Sequence, residues 1–192
     1  MRQIEPTLSS RMHSTPIGEL TLIASHKGLR AILWPRLSPT AAGIHPRPRR
    51  DPDHPILVQT AAQLDEYFTG SRTTFDIPLD LHGTRFQLAA WRSLATIPFG
   101  TTTSYGRQAA ALGTPTAARA IGSANGANPV CIVLPCHRVI GADGSLTGFG
   151  GGLPAKRWLL DHEARVLESS IVSSPEWPHP QPVQTRLSMP VA

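Results

Sequence analysis

Hydrophobic and polar positions alternate along the first part of the chain, as they do in short β-strands that bury one face. Two turn sequences that contain glycine, PIG and HKG, separate the alternating runs. The pattern therefore predicts a β-meander of two or three short strands, around residues 12–15, 20–25 and 29–34.

The spacing of apolar positions then changes from that of a strand to that of a helix. Apolar residues recur at positions 57, 61, 64 and 68 and are followed by Gly70, which predicts a helix over 56–68. A further strand is predicted after it, over 73–79. These elements make the first block of the chain a small α/β unit.

The second block is predicted to be mainly helical. Thr84 can cap a helix that reaches about residue 95, and Ser104 can cap a short helix to residue 112. Gly113 closes that helix, and Thr114 with Pro115 supplies the cap and the first-turn proline of the next one, to about residue 124. Two short helices joined at a glycine form a helix-turn-helix arrangement.

Small side chains dominate the second helix of that pair, where Arg119 is the single long polar residue. Small residues on a helix most often pack against a neighbouring helix. One face of this helix can also pack through Ile121 while its small face approaches the floor of a DNA groove. Both interpretations stay open from the residues alone.

Proline marks the segments outside the predicted elements. Of the 19 prolines, six lie in residues 35–55 and five in residues 175–192. We expect an exposed linker at 35–55 and a flexible tail at 168–192. The RPRR sequence at 47–50 suits a solvated loop or a nucleic-acid patch. Because no apolar run approaches the roughly 18 residues that cross a bilayer and the start of the chain lacks an apolar centre, a cytoplasmic protein without membrane contact is expected.

Charge is unevenly distributed along the chain. Of the 18 basic residues 16 are arginine, and the segment 84–167 alone carries eight basic and three acidic residues, a net +5. No acidic residue lies between Asp80 and Asp143. An arginine bias is typical of a GC-rich genome, but a long stretch without carboxylates also favours contact with phosphates.

The chain contains two cysteines, Cys131 and Cys136, which excludes a disulfide scaffold or a four-cysteine zinc site. The apolar run at 132–134 predicts a buried strand that ends before Cys136. Cysteines five residues apart on an extended segment point to opposite faces and lie too far apart to form a bridge. Cys131 is therefore expected to be buried and inert, whereas Cys136 adjoins a histidine and an arginine, which favour the thiolate.

A last helix is predicted over 154–167, with apolar residues along one side. Glu163 falls within this apolar stripe, where an unpaired carboxylate is costly. It can form a structural ion pair. It can instead orient the histidine that serves Cys136, which gives a Cys-His-Glu relay.

Six stretches of the sequence carry a family resemblance. They are FQLAAW at 86–91, IPFGTTTSYG at 97–106, AARAIGSANGANP at 117–129, NPVCIVLPCHRV at 128–139, TGFGGG at 147–152 and KRWLLDHE at 156–163. In these stretches the chain resembles the O6-alkylguanine-DNA alkyltransferases, almost continuously over 84–165 and more weakly in the N-terminal block. The PCHRV motif in this flanking order is highly specific.

The resemblance implies a mixed α+β fold. It consists of a small N-terminal α/β domain of ribonuclease-H-like type at 1–82, a mainly helical domain at 83–167 with a winged-helix-like helix-turn-helix, and the tail. The implied activity is direct-reversal DNA repair: a suicide methyltransferase moves the alkyl group of O6-alkylguanine, and of O4-alkylthymine, irreversibly to its own cysteine. The implied partner is double-stranded DNA whose damaged base is flipped out through the minor groove. A monomer without a cofactor is expected, associated with the nucleoid in a bacterium, and cooperative binding of several copies stays open.

Catalytic residues follow position by position from the same resemblance. Cys136 matches the alkyl acceptor, His137 the base that acts through a water, and Glu163 the carboxylate that orients it. Tyr105 matches the tyrosine that helps rotate the nucleotide and donates to the departing guanine. Asn128 resembles the residue that ties the helix-turn-helix to the active-site strand.

Binding residues follow in the same way. Arg119 resembles the finger that fills the vacated place in the base stack, and the other implied DNA contacts are Tyr105, Ala117, Ala118, Ser123 and Arg138. The implied alkylguanine pocket consists of Cys136, Val139, Phe149 and Gly150. Two of these depart from the family pattern, since Phe149 stands where many members have tyrosine and Gly150 where some have serine. The zinc-binding cysteines of some homologues are missing, and no metal is expected.

Two other functions are compatible with some of the residues. A non-catalytic damage sensor of the alkyltransferase-like kind replaces the acceptor cysteine, which is present here as Cys136. A cysteine hydrolase would use Cys136 and His137. Neighbouring side chains rarely face each other in an extended chain, and a hydrolase turns over repeatedly, which separates it from a single-use transferase.

Overall fold

The N-terminal strands form a four-stranded sheet. The computed structural model describes residues 7–35, 37–40 and 42–172. The predicted meander is confirmed, because its three strands pair antiparallel in sequence order, and a fourth, short strand adds to the first in parallel. The sheet order is β3-β2-β1-β4, with β1 Ser9–Thr15, β2 Gly18–Ser25, β3 Gly28–Leu33 and β4 Arg49–Arg50.

Helix α1 (Pro55–Thr69) packs on this sheet through its predicted apolar stripe. Leu57 and Leu64 on that stripe are fully buried. The helix ends at Gly70, which adopts a left-handed φ of 81° and donates its N–H to the last turn, a conformation that glycine reaches without a steric penalty.

The described residues of the proline-rich segment 35–55 are mostly exposed, as predicted, but the segment is anchored to the sheet. Ile44 is buried in a cluster with Leu8, Ile23, Ala31 and Leu33. The segment then ends in β4, where the Arg49 N–H donates to the Leu8 carbonyl at 2.8 Å. The expected linker is therefore corrected to an exposed loop with one buried anchor and one strand contact.

The strand predicted over 73–79 is wrong, since these residues form one isolated bridge, between Leu29 and Leu79. Side chains of α1 take the place of a strand partner. Both backbone groups of Asp76 bond to the Gln63 side chain, at 2.9 Å each, and Gln59 donates to the same carbonyl at 2.7 Å. Alternation in the sequence cannot reveal that a helix side chain satisfies this backbone.

The second block contains the predicted helix-turn-helix. Helix α2 (Arg85–Leu94) begins with a reciprocal capping box between Thr84 and Gln87. A short strand β5 (Thr103–Ser104) leads into helix α3 (Tyr105–Ala111), whose first turn is capped by the Ser104 hydroxyl. Helix α4 (Ala118–Gly126) packs against α2 and α3 through the fully buried Ile121.

Helix α4 begins three residues later than predicted, so Thr114 and Pro115 do not start it. The Thr114 hydroxyl donates to the Ala109 carbonyl at 3.2 Å, and its N–H bonds to the same oxygen at 2.9 Å. Thr114 therefore satisfies a carbonyl at the end of α3, after Gly113 has turned the chain with a φ of 72°.

The last strand and helix complete the second block. Strand β6 (Val139–Ile140) pairs in parallel with β5. Helix α5 (Gly152–Val172) continues five residues past its predicted end at 167. Residues 173–192, which hold most of the expected tail, lie outside the described residues. Within the described ranges, no helix combines the length and the apolar character needed to cross a bilayer.

One apolar core joins the two blocks. It includes Trp34 and Leu57 from the first block and Trp91, Ile132 and Leu159 from the second, all buried. The N-terminal block therefore packs directly against the segment that carries Cys136 and can position its side chains.

Candidate active site

A tight turn, and not the predicted strand over 132–134, leads into the PCHR segment. The Leu134 N–H donates to the Val130 carbonyl at 3.0 Å, and Ile132 has a φ of 76°, which is rare for a β-branched residue. Asn128 holds this turn from inside. Its Nδ2 donates to the Leu134 carbonyl at 2.8 Å, and its Oδ1 accepts from the Val130 N–H at 3.1 Å. Since Asn128 follows α4, it links the helix-turn-helix to the turn.

The turn brings the two cysteines into contact. The Sγ atoms of Cys131 and Cys136 lie 3.8 Å apart, and both residues are buried with free thiols. The prediction that they point to opposite faces is therefore wrong. It assumed an extended chain, whereas the backbone reverses at 131–134. Cys136 then opens a single turn of 3-10 helix, Cys136–Arg138.

The neighbours of Cys136 lower the pKa of its thiol, although burial opposes them. The largest effect is the hydrogen bond with Cys131, and the Asn128 side chain and the Lys156 charge add to it. A thiolate has no hydrogen to donate, so Cys131 is the donor when Cys136 is ionised. The same hydrogen bond, together with burial, raises the pKa of Cys131. The surroundings therefore favour the thiolate at Cys136 over the thiolate at Cys131.

One nitrogen of the His137 ring contacts a carboxylate, and the other has no hydrogen-bond partner among the described residues. Its Nε2 is 2.8 Å from Glu163 Oε1, and both side chains are fully buried. Burial lowers the pKa of His137 against the opposing effect of Glu163, so the ring is neutral near pH 7. When Nε2 donates to Glu163, Nδ1 becomes an acceptor, and it has no hydrogen-bond partner in the described part of the chain. The ring can therefore accept a proton at Nδ1.

Glu163 is the shared acceptor of a buried hydrogen-bond network that includes His137 and Arg138. Its carboxylate accepts from Arg138 Nε and Nη2 at 3.0 Å each, from the Gly100 N–H at 2.9 Å and from the Tyr67 hydroxyl at 2.9 Å. Burial raises the pKa of Glu163, but the hydrogen bonds from His137 and Arg138, together with the charge of Arg138, outweigh burial and lower the pKa to about 2. The two interpretations of Glu163, an ion pair and a histidine partner, are thus both present in the structure.

Arg138 lies inside the protein, which corrects its predicted contact with DNA. The residue is 6% exposed, its Nη1 donates to the Ile97 carbonyl at 2.6 Å, and its guanidinium lies 5.5 Å from the centre of the Phe99 ring. A guanidinium that leaves this site would strand the buried Glu163 charge, which is costly. Arg138 therefore neutralises the network, and the sequence could not show its burial.

Lys156 is a second buried cation beside the site. Its Nζ donates to the Val139 carbonyl at 2.6 Å and to the Thr147 carbonyl at 2.8 Å, and the side chain has no exposed surface. Burial lowers the pKa of Lys156, while the nearby Cys136 raises it. The lysine holds the strand after Cys136 to the loop at 141–151 and places positive charge near the thiol.

The predicted base-pocket residues lie in and beside this loop. The Phe149 ring lies between two rings, with its centre 6.4 Å from that of His137 and 5.3 Å from that of Trp34 in the N-terminal block. A Cβ on Gly151 would lie 2.7 Å from the Trp34 ring, and one on Gly150 would lie 3.4 Å from its Nε1. The glycines therefore allow Trp34 to pack closely on the loop.

A cavity of about 380 Å³ reaches the site from the side of the N-terminal block. Trp34, Asn128, Cys131 and Gly150 are among its lining residues. Of the four residues predicted to form the alkylguanine pocket, Gly150 alone lines this cavity. Within the described ranges, no group of three or more His, Cys, Asp or Glu side chains is arranged to hold a metal ion.

The face of α4 where DNA contacts were predicted carries mostly small side chains and is at least partly exposed. Arg119 and Ser123 are exposed, and Ala117 and Ala118 are partly exposed. The side chain of Arg119 makes no hydrogen bond or ion pair with other described residues. Tyr105 lies next to this surface, at the start of α3, and its hydroxyl donates to the Thr147 carbonyl at 3.2 Å.

Comparison with known protein families shows to which family the chain belongs. Residues 10–81 match the ribonuclease-like domain of 6-O-methylguanine DNA methyltransferase, and residues 85–165 match the DNA binding domain of the same protein family. The chain belongs to the 6-O-methylguanine DNA methyltransferase family. Membership makes it a transferase of direct-reversal DNA repair.

Individual relatives agree with this membership in the methyltransferase family. A methylated-DNA–protein-cysteine methyltransferase of Mycolicibacterium paratuberculosis is 46% identical over 163 residues, which cover 84% of this chain and 95% of the relative. One from Shigella flexneri is 41% identical over 161 residues, 80% of this chain and 94% of the relative. The crystal structure of Mycobacterium tuberculosis OGT in complex with DNA matches with a TM-score of 0.74 and 47% identity, over 82% of this chain and 94% of that one.

Several residues of this methyltransferase site were not predicted from the sequence. Tyr67 and Trp34 reach it from the N-terminal block, where no local pattern singles them out. Lys156 carried a signal, since it is one of only two lysines in an arginine-rich chain and opens the KRWLLDHE motif. Cys131 is buried, as predicted, but its contact with the Cys136 thiol was not predicted.

Proposed function

We propose that the chain repairs O6-alkylguanine in double-stranded DNA by moving the alkyl group to Sγ of Cys136, once per molecule. The observation that carries this proposal is the buried thiol of Cys136, which directly precedes a buried histidine whose Nε2 contacts Glu163 and whose Nδ1 has no partner in the described chain. The Cys136 thiolate attacks the alkyl carbon in line, and the bond from that carbon to O6 breaks. Because a thioether is a poor leaving group for water, the protein stays alkylated.

The buried network supports the proton balance of this step. The proton that Cys136 loses passes to Nδ1 of His137, through an intervening water, and returns to the departing guanine. Glu163 stabilises the imidazolium that forms in between, since its carboxylate lies 2.8 Å from Nε2. The Tyr105 hydroxyl is the second donor to the leaving base, after it releases the Thr147 carbonyl.

The surface of α4 supports the approach to DNA. A base within a duplex cannot present its O6 substituent to a buried thiol, so the nucleotide is rotated out of the stack. Arg119 is long, exposed and without competing contacts in the described chain, which suits it to fill the vacated place. The small face formed by Ala117, Ala118 and Ser123 fits the shallow approach of a helix to the minor groove.

The remaining features of the proposal follow from this activity. The alkylated base is held against Phe149, Val139 and the backbone of Gly150, after Trp34 and the loop move apart. O4-alkylthymine is a second substrate, the working form is a monomer, and the protein acts in the cytoplasm on chromosomal DNA.

A stoichiometry experiment tests the proposal. A duplex that contains O6-methylguanine is titrated with protein, and repaired guanine is counted at completion. We expect one repaired base per protein molecule, none for Cys136→Ser, and again one for Cys131→Ser, whatever its rate. A plateau above one product per protein would indicate a hydrolase, and tight binding without product would indicate a damage sensor; either result contradicts the proposal.

A further inference from the structure

The two thiols at the site lie close enough to form a disulfide after a small movement of their side chains. The Sγ atoms of Cys131 and Cys136 are 3.8 Å apart, because the chain reverses in the tight turn between Cys131 and Leu134. A disulfide needs about 2.05 Å between sulfurs, so an approach of under about 2 Å completes the bond, which rotation of two cysteine side chains can supply. The chain has no other cysteine, so no competing intramolecular pair exists.

A cavity brings small oxidants to the Cys131 side of the pair, and the Cys136 Sγ lies 3.8 Å from the Cys131 Sγ. Cys131 forms part of the wall of the 380 Å³ cavity, together with Trp34 and Asn128. Hydrogen peroxide is little larger than water and fits a cavity of this size. DNA approaches from the face of α4, whereas this cavity opens between the sheet of the N-terminal block and α2, as its lining by Ala31, Leu33 and Trp91 indicates.

The two sulfurs also differ in their chemical roles. Cys136 has the lower pKa and is the thiolate that attacks an oxidant, while Cys131 keeps its hydrogen and remains available as the second thiol. This division corresponds to that between a peroxidatic and a resolving cysteine. No role in alkyl transfer requires a cysteine at position 131, since a hydroxyl can donate the same hydrogen bond.

We propose that Cys131 and Cys136 form a reversible intramolecular disulfide when the protein meets a peroxide. The Cys136 thiolate attacks one peroxide oxygen, the O–O bond breaks, and a sulfenic acid forms with release of water. Cys131 then attacks the sulfenic sulfur, and its proton leaves with the hydroxyl as a second water. Two thiols and one peroxide thus give one disulfide and two waters, and a dithiol reductant reverses the change.

The disulfide has two consequences. It removes the thiolate from Cys136, so alkyl transfer stops; this consequence rests on the proposed function. It also protects Cys136 from further oxidation to sulfinic and sulfonic acids, which thiols do not reverse. Cys131 therefore converts a permanent loss of the acceptor into a temporary one.

Mass spectrometry of the full-length protein tests the disulfide without reference to DNA repair. The reduced protein is treated with hydrogen peroxide, quenched with an alkylating reagent and digested with trypsin. Arg119 and Arg138 are consecutive cleavage sites, so residues 120–138 form one peptide that holds both cysteines. We expect this peptide to lose about 2 Da and both alkylation sites, and to regain both thiols after dithiothreitol.

The variant Cys131→Ser is the matched control, because it keeps a hydrogen-bond donor and removes the resolving sulfur. In this variant we expect the same peptide to gain about 32 or 48 Da, and its transfer activity, relative to its own untreated value, to stay lost after dithiothreitol. Wild-type activity should return to above about 80% under the same treatment. The proposal is overturned if wild-type Cys136 reaches the sulfinic state as fast as in Cys131→Ser, or if disulfides form only between molecules. Failure of alkyl transfer would leave the mass result intact, so the two proposals fail separately.

Discussion

Tyr67 connects the N-terminal block to the catalytic network, and its hydroxyl can be removed without changing the packing. The hydroxyl donates to Glu163 Oε1 at 2.9 Å, across 96 positions of sequence, and the residue is fully buried. Its ring lies in an aromatic cluster with Phe68, Phe75 and Phe99, which Tyr67→Phe preserves. The substitution therefore isolates one hydrogen bond to a charged acceptor, a bond that contributes about 1.5–3 kcal/mol.

We expect Tyr67→Phe to lower the free energy of unfolding by about 2 kcal/mol at pH 7, because one buried lone pair of Glu163 loses its donor. If about 1 kcal/mol of this is also lost in the transition state, alkyl transfer slows about fivefold. Urea unfolding measures the stability, and single-turnover repair of a methylated duplex measures the rate.

Ser25→Ala is the matched control for Tyr67→Phe. Ser25 is also buried, and its hydroxyl donates to the Asp80 carboxylate at 2.7 Å, away from Cys136. It should cost a similar stability, about 1.5–3 kcal/mol, and leave the transfer rate within about twofold. If Tyr67→Phe slows transfer no more than Ser25→Ala does, the N-terminal block stabilises the protein but does not position the relay, and the reasoning is refuted.

Three further predictions concern single charges. The pKa of Glu163 is about 2 in the folded protein, below the ordinary value of about 4.3. Ionised Glu163 therefore adds at most about 3 kcal/mol to the free energy of unfolding above pH ~4.3, and this stabilisation is lost as the pH falls toward 2. Urea unfolding between pH 6 and 3 should show this slope in the wild type and a weaker one in Glu163→Gln, and equal slopes would contradict the assignment. Arg119→Ala should slow repair of duplex DNA by at least about tenfold, because the vacated place in the base stack is no longer filled. The free energy of unfolding should stay within about 0.5 kcal/mol, and the reaction with free O6-benzylguanine should be unchanged. Equal losses of rate on both substrates would exclude a role of Arg119 in the duplex. Lys156→Met should raise the pKa of the Cys136 thiol, measured from the pH dependence of iodoacetamide alkylation. It should also lower stability by about 1–3 kcal/mol, because the buried Val139 carbonyl loses the Lys156 donor. An unchanged thiol titration would show that its charge does not reach Cys136.

Local chemistry in the sequence predicted the elements whose ends are fixed by their own residues. Thr84 with Gln87, and Ser104 with its first turn, cap α2 and α3 as the pattern indicates, because each donor and acceptor lies within three positions. Thr114 shows the limit of this reasoning. A hydroxyl beside a proline suits the start of a helix, but here it closes the end of the preceding one.

Tertiary contacts decided the features that the sequence did not predict. The run at 132–134 has the composition of a buried strand, yet it lies in a turn that Asn128 holds through Val130 and Leu134, with Ile132 at positive φ. That turn brings Cys131 to Cys136, which no spacing rule for an extended chain allows. Arg138 is adjacent to the reactive residues in sequence, and only the position of Glu163 on α5 shows that it is buried.

The central claim is that Sγ of Cys136 accepts the alkyl group. Because the Sγ of Cys131 lies 3.8 Å away, the test must distinguish these two thiols. After reaction with a duplex that contains O6-methylguanine, the peptide 120–138 should gain about 14 Da, and its fragment ions should place the methyl group on Cys136. Cys131 should remain unmodified in every molecule that has reacted. A methyl group on Cys131, or repaired DNA with an unmodified peptide, would contradict the account.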